Sequence, residues 1–277
     1  MSDSLVSVLT GLGDDELVLG HRHSEWTGFA PHIEEDVAFS SIAQDEIGHA
    51  AAYYSIVASI TGEDPDRLAL GREPDAYRNA ILCERENQDW SYSLVRHWLY
   101  DHADALRLET MSETAHDELR ALVNKMRREE RYHLIHADAW MARVAQGPVE
   151  GRTKLIDALA NAYDDSMGLF EPFELEDAAV KEGWVPVPSH ELRNRFVERI
   201  TASLDALGLP IEVHRRDTTA EFVASSSGDL IAGEGTDQPV HEHHDGLGGR
   251  AGRRSAEFAG LWGDLTSIYR AHPGASW

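Results

Sequence analysis

The chain has 277 residues, 42% of them hydrophobic, which is enough to build a core for one large domain or two smaller ones. It carries 49 Asp and Glu against 25 Lys and Arg, a formal net charge of -24, which argues against nucleic acid or an anionic membrane as a partner. No apolar run approaches the roughly 18 to 20 residues that a membrane span needs, and the acidic N-terminal segment does not resemble a signal peptide. The single cysteine, Cys83, leaves no internal disulfide, so we expect a cytoplasmic protein.

Lysine is nearly absent from the sequence and occurs only at Lys125, Lys154 and Lys181. An acidic composition that keeps arginine but little lysine fits a high-salt cytoplasm, where screening removes most of the self-repulsion between acids. The composition therefore predicts a halophilic source, and it says little about a binding partner.

The predicted elements are almost all helices, beginning with four long ones in two hairpins. Three acids at residues 14–16 suit the positive end of the first helix, which ends at Gly28 and Pro31. A loop at about 62–74 separates the two hairpins. The four helices are predicted at about residues 14–28, 33–60, 75–111 and 115–145. Such a pattern is typical of a helical bundle, with its core at about 14–146.

The remaining residues predict a smaller helical annex at about 151–209 within the same single domain, 1–277. Its helices are expected at 153–169 and 189–207, and Ser189 is a plausible N-cap of the second.

The segment at about 210–249 is rich in Gly, Ser, His and acids and has no sustained period, which predicts a long mobile loop. A last helix at about 253–270 should dock on the bundle through one apolar face. The residues of that face are Phe258, Leu261, Leu265 and Ile268.

Two Glu-x-x-His units stand out because a carboxylate and an imidazole interrupt apolar helical runs. They are Glu46 with His49 on the second long helix and Glu130 with His133 on the fourth. Residues three apart on a helix differ by about 60° in direction and about 4.5 Å in height, so each pair can share one ion. Two such units in two hairpins are the pattern of a carboxylate-bridged di-iron or di-manganese bundle, which also needs one acid from each remaining helix.

The two further acids follow from the hairpin geometry, because residues equally far from a turn lie at the same height. Pro31 is the midpoint between Glu16 and Glu46, and Asp101 is the carboxylate level with Glu130 across the second turn. Four other acids lie at the wrong height: Glu25, Glu84, Glu86 and Glu109. The predicted metal site comprises six residues: Glu16, Glu46, His49, Asp101, Glu130 and His133. Oxygen and imidazole ligands suit a redox-active iron pair.

Other interpretations of these residues remain open. The six side chains could form a polar network that satisfies itself and binds no metal. The histidine-rich segment "HEHHD" at 241–245 could chelate a metal adventitiously. No nucleophile elbow is present, so we predict no catalytic nucleophile.

Four segments in fixed order carry a resemblance to a known family: "DDELVLGHRHSEWTGFAPHIEEDVAFSSIAQDEIGHA", "LALGREPDAYRN", "EERYHL" and "HPGASW". They resemble the C subunits of ring-1,2-phenylacetyl-CoA epoxidases, the multicomponent monooxygenases of aerobic phenylacetate degradation. The resemblance covers nearly the full length, apart from about 217–245.

The resemblance implies an all-α, ferritin-like four-helix bundle with additional C-terminal helices, and a place in a heteromeric complex. In that family a related A subunit holds the working di-iron centre and pairs with the C-type protein. A small B subunit and a reductase with FAD and an iron-sulfur cluster complete the complex, which uses NADPH and dioxygen. The family's C subunits often have apolar or amide residues where this chain has Glu16, Glu46 and His49.

Two hypotheses of different kinds follow. The chain is a non-catalytic structural and regulatory subunit that stabilises the catalytic A subunit, or it is a subunit with its own functional di-iron centre. A third interpretation is a stand-alone ferritin-like iron store or manganese catalase, which predicts a self-assembled oligomer.

Overall fold

The structure is a computed structural model that describes residues 2–209, 211–215, 220–224 and 247–275. This part of the chain contains ten α-helices and one short β-hairpin. The first six helices are α1 (Asp3–Ser24), α2 (Ile33–Thr61), α3 (Pro65–Leu70), α4 (Ile81–Glu84), α5 (Trp90–Met111) and α6 (Asp117–Ala145). The later helices are α7 (Val149–Ser166), α8 (Glu176–Lys181), α9 (Ser189–Leu207) and α10 (Phe258–Ala271). The strands are β1 (Ile211–Arg215) and β2 (Ala220–Ala224).

The bundle consists of two helical hairpins, α1 with α2 and α5 with α6, which meet where α2 contacts α6. Helices α7 and α9 pack against α5, and α8 packs against α1. The predicted all-α, ferritin-like bundle with additional C-terminal helices is confirmed. Among the described residues, none of the helices is both long and apolar enough to cross a membrane.

Helix α1 begins eleven residues before the predicted start, at Asp3, where the Ser2 hydroxyl caps the helix by accepting from the Ser4 amide. The prediction that acids at 14–16 open this helix is therefore wrong. Those acids lie in the middle of α1, and all three are buried. The helix extends further because an apolar stripe upstream of them, at Leu5, Val8, Leu9 and Leu12, packs into the core.

Helix α5 begins at Trp90 rather than near residue 75, and Asp89 caps it by accepting from the Tyr92 amide. The preceding chain is not helical because two of its backbone amides bind buried acids of α1. The Arg78 amide donates to Asp14 at 2.7 Å, and the Ala80 amide donates to Asp15 at 2.7 Å. The third predicted helix is thus a short α4, an extended segment and a shorter α5.

Helices α2 and α6 lie close to their predicted positions, and α2 ends as expected at Gly62, whose φ of 78° favours glycine. Helix α1 approaches α2 closely at Gly20. A Cβ added at Gly20 would lie 2.9 Å from Ile47 Cγ1 and 3.1 Å from the Ala43 carbonyl oxygen. This contact sets the spacing of α1 and α2 one turn from Glu16 and next to Glu46.

The annex differs from the prediction in two details. Pro188, not Ser189, is the N-cap of α9, and the Ser189 side chain instead donates to Glu176 of α8. The prediction of a loop over 210–249 is wrong for the ten residues of β1 and β2, which pair antiparallel with Ile211 opposite Ala224. Residues 216–219 and 225–246 lie outside the described part of the chain.

Helix α10 docks on the rest of the molecule as predicted, through Phe258 and Leu261, which are buried, and Leu265, which packs against the core. Ile268 was expected on the same face but is 62% exposed, so the buried face of α10 does not include it. Trp262 joins the contact by donating from its indole to the Arg72 carbonyl oxygen at 3.0 Å.

Candidate metal centre

The six residues of the predicted site come from four different helices, α1, α2, α5 and α6, and converge in the middle of the bundle. All six residues are buried, with at most 3% of each residue exposed. They form two groups whose ligand atoms lie within 4.8 Å of one another. The first group is Glu16, His49 and Glu130, and the second is Glu46, Asp101 and His133.

The first group is centred on Nδ1 of His49. This atom lies 3.5 Å from Glu16 Oε2 and 3.3 Å from Glu130 Oε1. Glu130 Oε1 also lies 3.2 Å from Nδ1 of His133, so its carboxylate stands between the two groups. Each group combines a histidine of one Glu-x-x-His unit with the glutamate of the other, which places Glu46 and Glu130 where bridging carboxylates belong.

Most of the inward-facing atoms that could ligate a metal are buried and have no hydrogen-bond partner. Eight such atoms belong to the six residues: Glu16 Oε2, Glu46 Oε1, His49 Nδ1, Asp101 Oδ1, Asp101 Oδ2, Glu130 Oε1, Glu130 Oε2 and His133 Nδ1. The short distances within the groups therefore lack hydrogen-bond geometry. Buried polar atoms are normally paired, so this concentration of unpaired ligand atoms fits a site for cations.

Both histidines are held by their outer ring nitrogens. Nε2 of His49 lies 3.1 Å from Glu129 Oε2, and Nε2 of His133 lies 3.2 Å from Asp45 Oδ2. When Nε2–H donates to these carboxylates, Nδ1 carries the lone pair and points to the centre of the bundle. Outer carboxylates that fix a ligating histidine in this way are the usual second layer of a metal site.

The electrostatics of the site show a need for positive charge. Burial raises the pKa of Glu46 and of Asp101 well above the ordinary values. Burial opposes protonation of His49, but the negative charge of the nearby Glu130 and Glu16 carboxylates outweighs it and raises the pKa of His49 to about 11. In the same way Glu130 and Asp45 raise the pKa of His133 to about 12. Protons therefore supply the charge that cations would supply in a metal centre.

The sequence analysis missed two further histidines at this site. His23 lies two helical turns after Glu16 on α1, and His97 lies one turn before Asp101 on α5. Nδ1 of His23 is 2.9 Å from Glu46 Oε2, and Nε2 of His97 is 3.3 Å from Asp101 Oδ2. Their spacing from the predicted acids on the same helix faces was the signal that could have revealed them.

The second metal candidate of the sequence, the histidine-rich segment at 241–245, lies outside the described residues.

Comparison with known proteins places this site in a family context. The whole chain, residues 1–277, matches the family described as phenylacetic acid catabolic protein. A relative from Escherichia coli (strain K12), the C subunit of 1,2-phenylacetyl-CoA epoxidase, is 29% identical over 210 residues, which cover 76% of this chain and 84% of the relative. Because the match to the family runs the full length, the chain belongs to the phenylacetic acid catabolic protein family.

Proposed function

We propose that this chain is a subunit of a multicomponent phenylacetyl-CoA epoxidase, that it assembles with a homologous catalytic subunit, and that it holds its own pair of metal ions. The epoxidase role is suggested by the relative, which is the C subunit of such an enzyme. The metal centre is suggested by the eight buried, unpartnered ligand atoms on six residues from four helices. This second observation carries the proposal.

A vestigial site or a self-satisfied polar network fits that observation less well. In such a network the carboxylates would accept from the imidazoles and from other donors, as Asp14 does from Arg72 and Tyr54. Both oxygens of Asp101 and of Glu130 instead lack a hydrogen bond. Leaving buried carboxylate oxygens without a hydrogen-bond partner is unfavourable, and binding of a divalent cation would offset that cost.

The residues would divide the work of holding two ions as follows. Glu16 and His49 would serve the first ion and Asp101 and His133 the second, with Glu46 and Glu130 between them. Glu129 and Asp45 orient the two imidazoles. A reduced iron pair, when bound, supplies the electrons for activating dioxygen.

Assembly with a partner is supported by an uncharged surface on α2. Between Val37 and Thr61 the chain has no Lys or Arg, and its only acids are Asp45 and Glu46. Neither acid leaves an unpaired charge on the surface, since Asp45 pairs with His133 and Glu46 is buried. Ile33 and Val37 at the start of α2 are 71% and 65% exposed. In a chain of which 27% is charged, such a stripe is typical of an interaction surface.

The neighbouring face of α6 adds positive charge beside this stripe. It exposes Tyr132 and Ile135 together with Arg127, Arg128 and Arg131. Within the described part of the chain these three arginines form no ion pair. Because the molecule as a whole is strongly acidic, a basic face of this kind fits a partner subunit with acidic residues around an apolar centre.

Metal quantification of the purified full chain tests the centre. The histidines at 241, 243 and 244 should first be changed to glutamine, so that this segment cannot bind metal adventitiously. After reconstitution with Fe(II) under anaerobic conditions and removal of loose metal, we expect about two irons per chain. Glu130→Gln should lower this value to one or none, whereas His102→Gln, at a buried histidine that contacts Asp138, should leave it unchanged. A wild-type chain without metal would refute the centre.

Co-expression with the catalytic subunit tests the assembly independently. We expect the two chains to co-purify as a stable complex. A chain that forms only a homo-oligomer and ignores the catalytic subunit would favour the stand-alone iron store or catalase instead.

A further inference from the structure

His23 and His97 form a second cluster of imidazoles beside the six residues discussed above. Both residues are 0% exposed, and their rings meet edge to face with centroids 5.2 Å apart. Phe39 closes one side of the pair, with its ring centroid 5.2 Å from that of His23 and 5.3 Å from that of His97. The pair is thus enclosed between an aromatic wall and the carboxylates of the bundle centre.

The ring nitrogens of this pair are largely unpartnered. Nε2 of His23 and both ring nitrogens of His97 are buried without a hydrogen bond. Burial lowers the pKa of both rings well below the ordinary value. Three buried ring nitrogens without a hydrogen bond on two neighbouring residues are unusual, because buried polar atoms are normally paired.

One carboxylate lies within reach of both rings. Ligand atoms of His23, Glu46 and His97 all fall within 4.8 Å of one another. Nδ1 of His23 already contacts Oε2 of Glu46, while Oε1 of Glu46 has no partner. Two imidazoles and one carboxylate are a donor set that non-haem Fe(II) and Zn(II) sites use, with positions left for water or other ligands.

We propose that His23, His97 and Glu46 form a third metal-binding position, which takes a divalent transition-metal ion and shares the Glu46 carboxylate with the two-ion centre. The inference rests on the proposed function in one respect, since Glu46 serves both. A carboxylate has two oxygens and can bridge two ions, so the positions are compatible. The bundle centre would then hold three ions, and the third position would have more nitrogen ligands than either of the other two.

A cobalt titration of the metal-free full chain tests this inference. The protein used carries the substitutions His241→Gln, His243→Gln and His244→Gln, so that Co(II) cannot bind in that segment. Bound Co(II) is counted by equilibrium dialysis and followed by its visible absorbance. We expect three equivalents for this chain, and two for each of the variants His23→Gln and His97→Gln, with loss of the absorbance that develops with the third equivalent.

His102→Gln is the matched control, because His102 is also a buried histidine of α5 but contacts Asp138, away from the cluster. It should keep three equivalents. Saturation of the parent chain at two equivalents would overturn the third position and leave the two-ion centre standing. Binding of no cobalt would overturn both. The stoichiometry of the parent chain decides the question even where a variant fails to fold, which circular dichroism would detect.

Discussion

Three successive acids in the middle of α1 occupy three different environments. Asp14 accepts from Arg72, Tyr54 and a backbone amide, and Asp15 accepts from Arg250 and another backbone amide. Glu16 accepts only from Tyr100, at 2.9 Å, and leaves Oε2 unpaired. The first two acids are thus compensated within the fold and act structurally. The third keeps one oxygen without a hydrogen bond, as the proposed metal centre requires of a ligand.

The same contrast on α5 gives a prediction about metal-free stability. Asp101 is buried with both oxygens unpaired, and burial raises its pKa well above the ordinary value. Asp101→Asn removes a buried acid without changing shape, so it should stabilise the metal-free protein by about 1 kcal/mol or more. Thermal unfolding without metal should shift upward by a few degrees, and the further rise on adding metal should shrink.

Asp104→Asn is the control for that experiment. Asp104 is equally buried on the same helix but lies 3.1 Å from Nη1 of Arg107, which is itself buried. Its substitution leaves the guanidinium without its counter-charge and should cost about 3 to 5 kcal/mol. If both substitutions destabilised the metal-free chain equally, Asp101 would be paired in solution and the unpaired-ligand argument would not hold.

At the scale of elements, sequence patterns predicted what is local and missed what depends on distant contacts. Helices α2 and α6 were predicted well because their apolar periods and end signals lie within the elements themselves. The start of α5 was not predicted correctly. The backbone amides of residues 78 and 80 bind Asp14 and Asp15, and a hydrogen bond to a distant side chain leaves no periodic signal in the sequence. The convergence of the six residues was predictable because the two Glu-x-x-His units and the two hairpin turns place them at one level of the bundle. His23 and His97 belong to no such unit.

The closest contact between helices next to the site gives a prediction at this scale. A methyl group at Gly20 would meet the Ile47 side chain and the Ala43 carbonyl of α2, so Gly20→Ala must push α1 away from α2. We expect this substitution to destabilise the protein by about 1 to 3 kcal/mol. Because Glu16 and Glu46 lie on these two helices, metal affinity should fall as well, which calorimetric titration would measure.

Gly48→Ala is the counterpart of that substitution. Gly48 lies on the same stretch of α2, and a methyl group there would meet nothing within 4 Å. Its replacement should stabilise the helix by about 0.5 to 1 kcal/mol and leave metal affinity unchanged. Equal effects of the two alanines would contradict the view that helix spacing at Gly20 positions the ligands.

For the whole molecule, the net charge of -24 predicts a dependence of stability on salt. At low ionic strength the repulsion among surface acids opposes the compact state, and raising KCl from 0.1 M to 1 M shortens the screening length from about 10 Å to about 3 Å. The unfolding temperature should therefore rise with KCl, as the predicted halophilic source also requires. Sucrose at equal osmolality is the control, because this uncharged solute is excluded from the protein surface but does not screen charge. An unfolding temperature that does not change with KCl would contradict the prediction.

The distribution of the few cations leads to the last prediction. Arg127, Arg128 and Arg131 are exposed on α6, a helix that contacts α2, and form no ion pair in the described ranges of this acidic molecule. If this face binds an acidic partner subunit, the double change Arg128→Glu and Arg131→Glu should weaken the complex at least tenfold, because attraction becomes repulsion. The loss should be smaller in high salt, which screens that repulsion. Arg193 and Arg195 on α9 lie on another helix, and their reversal provides the matched control. Surface plasmon resonance with the catalytic subunit measures both pairs, and equal affinities for the two double variants would place the interface elsewhere on the molecule.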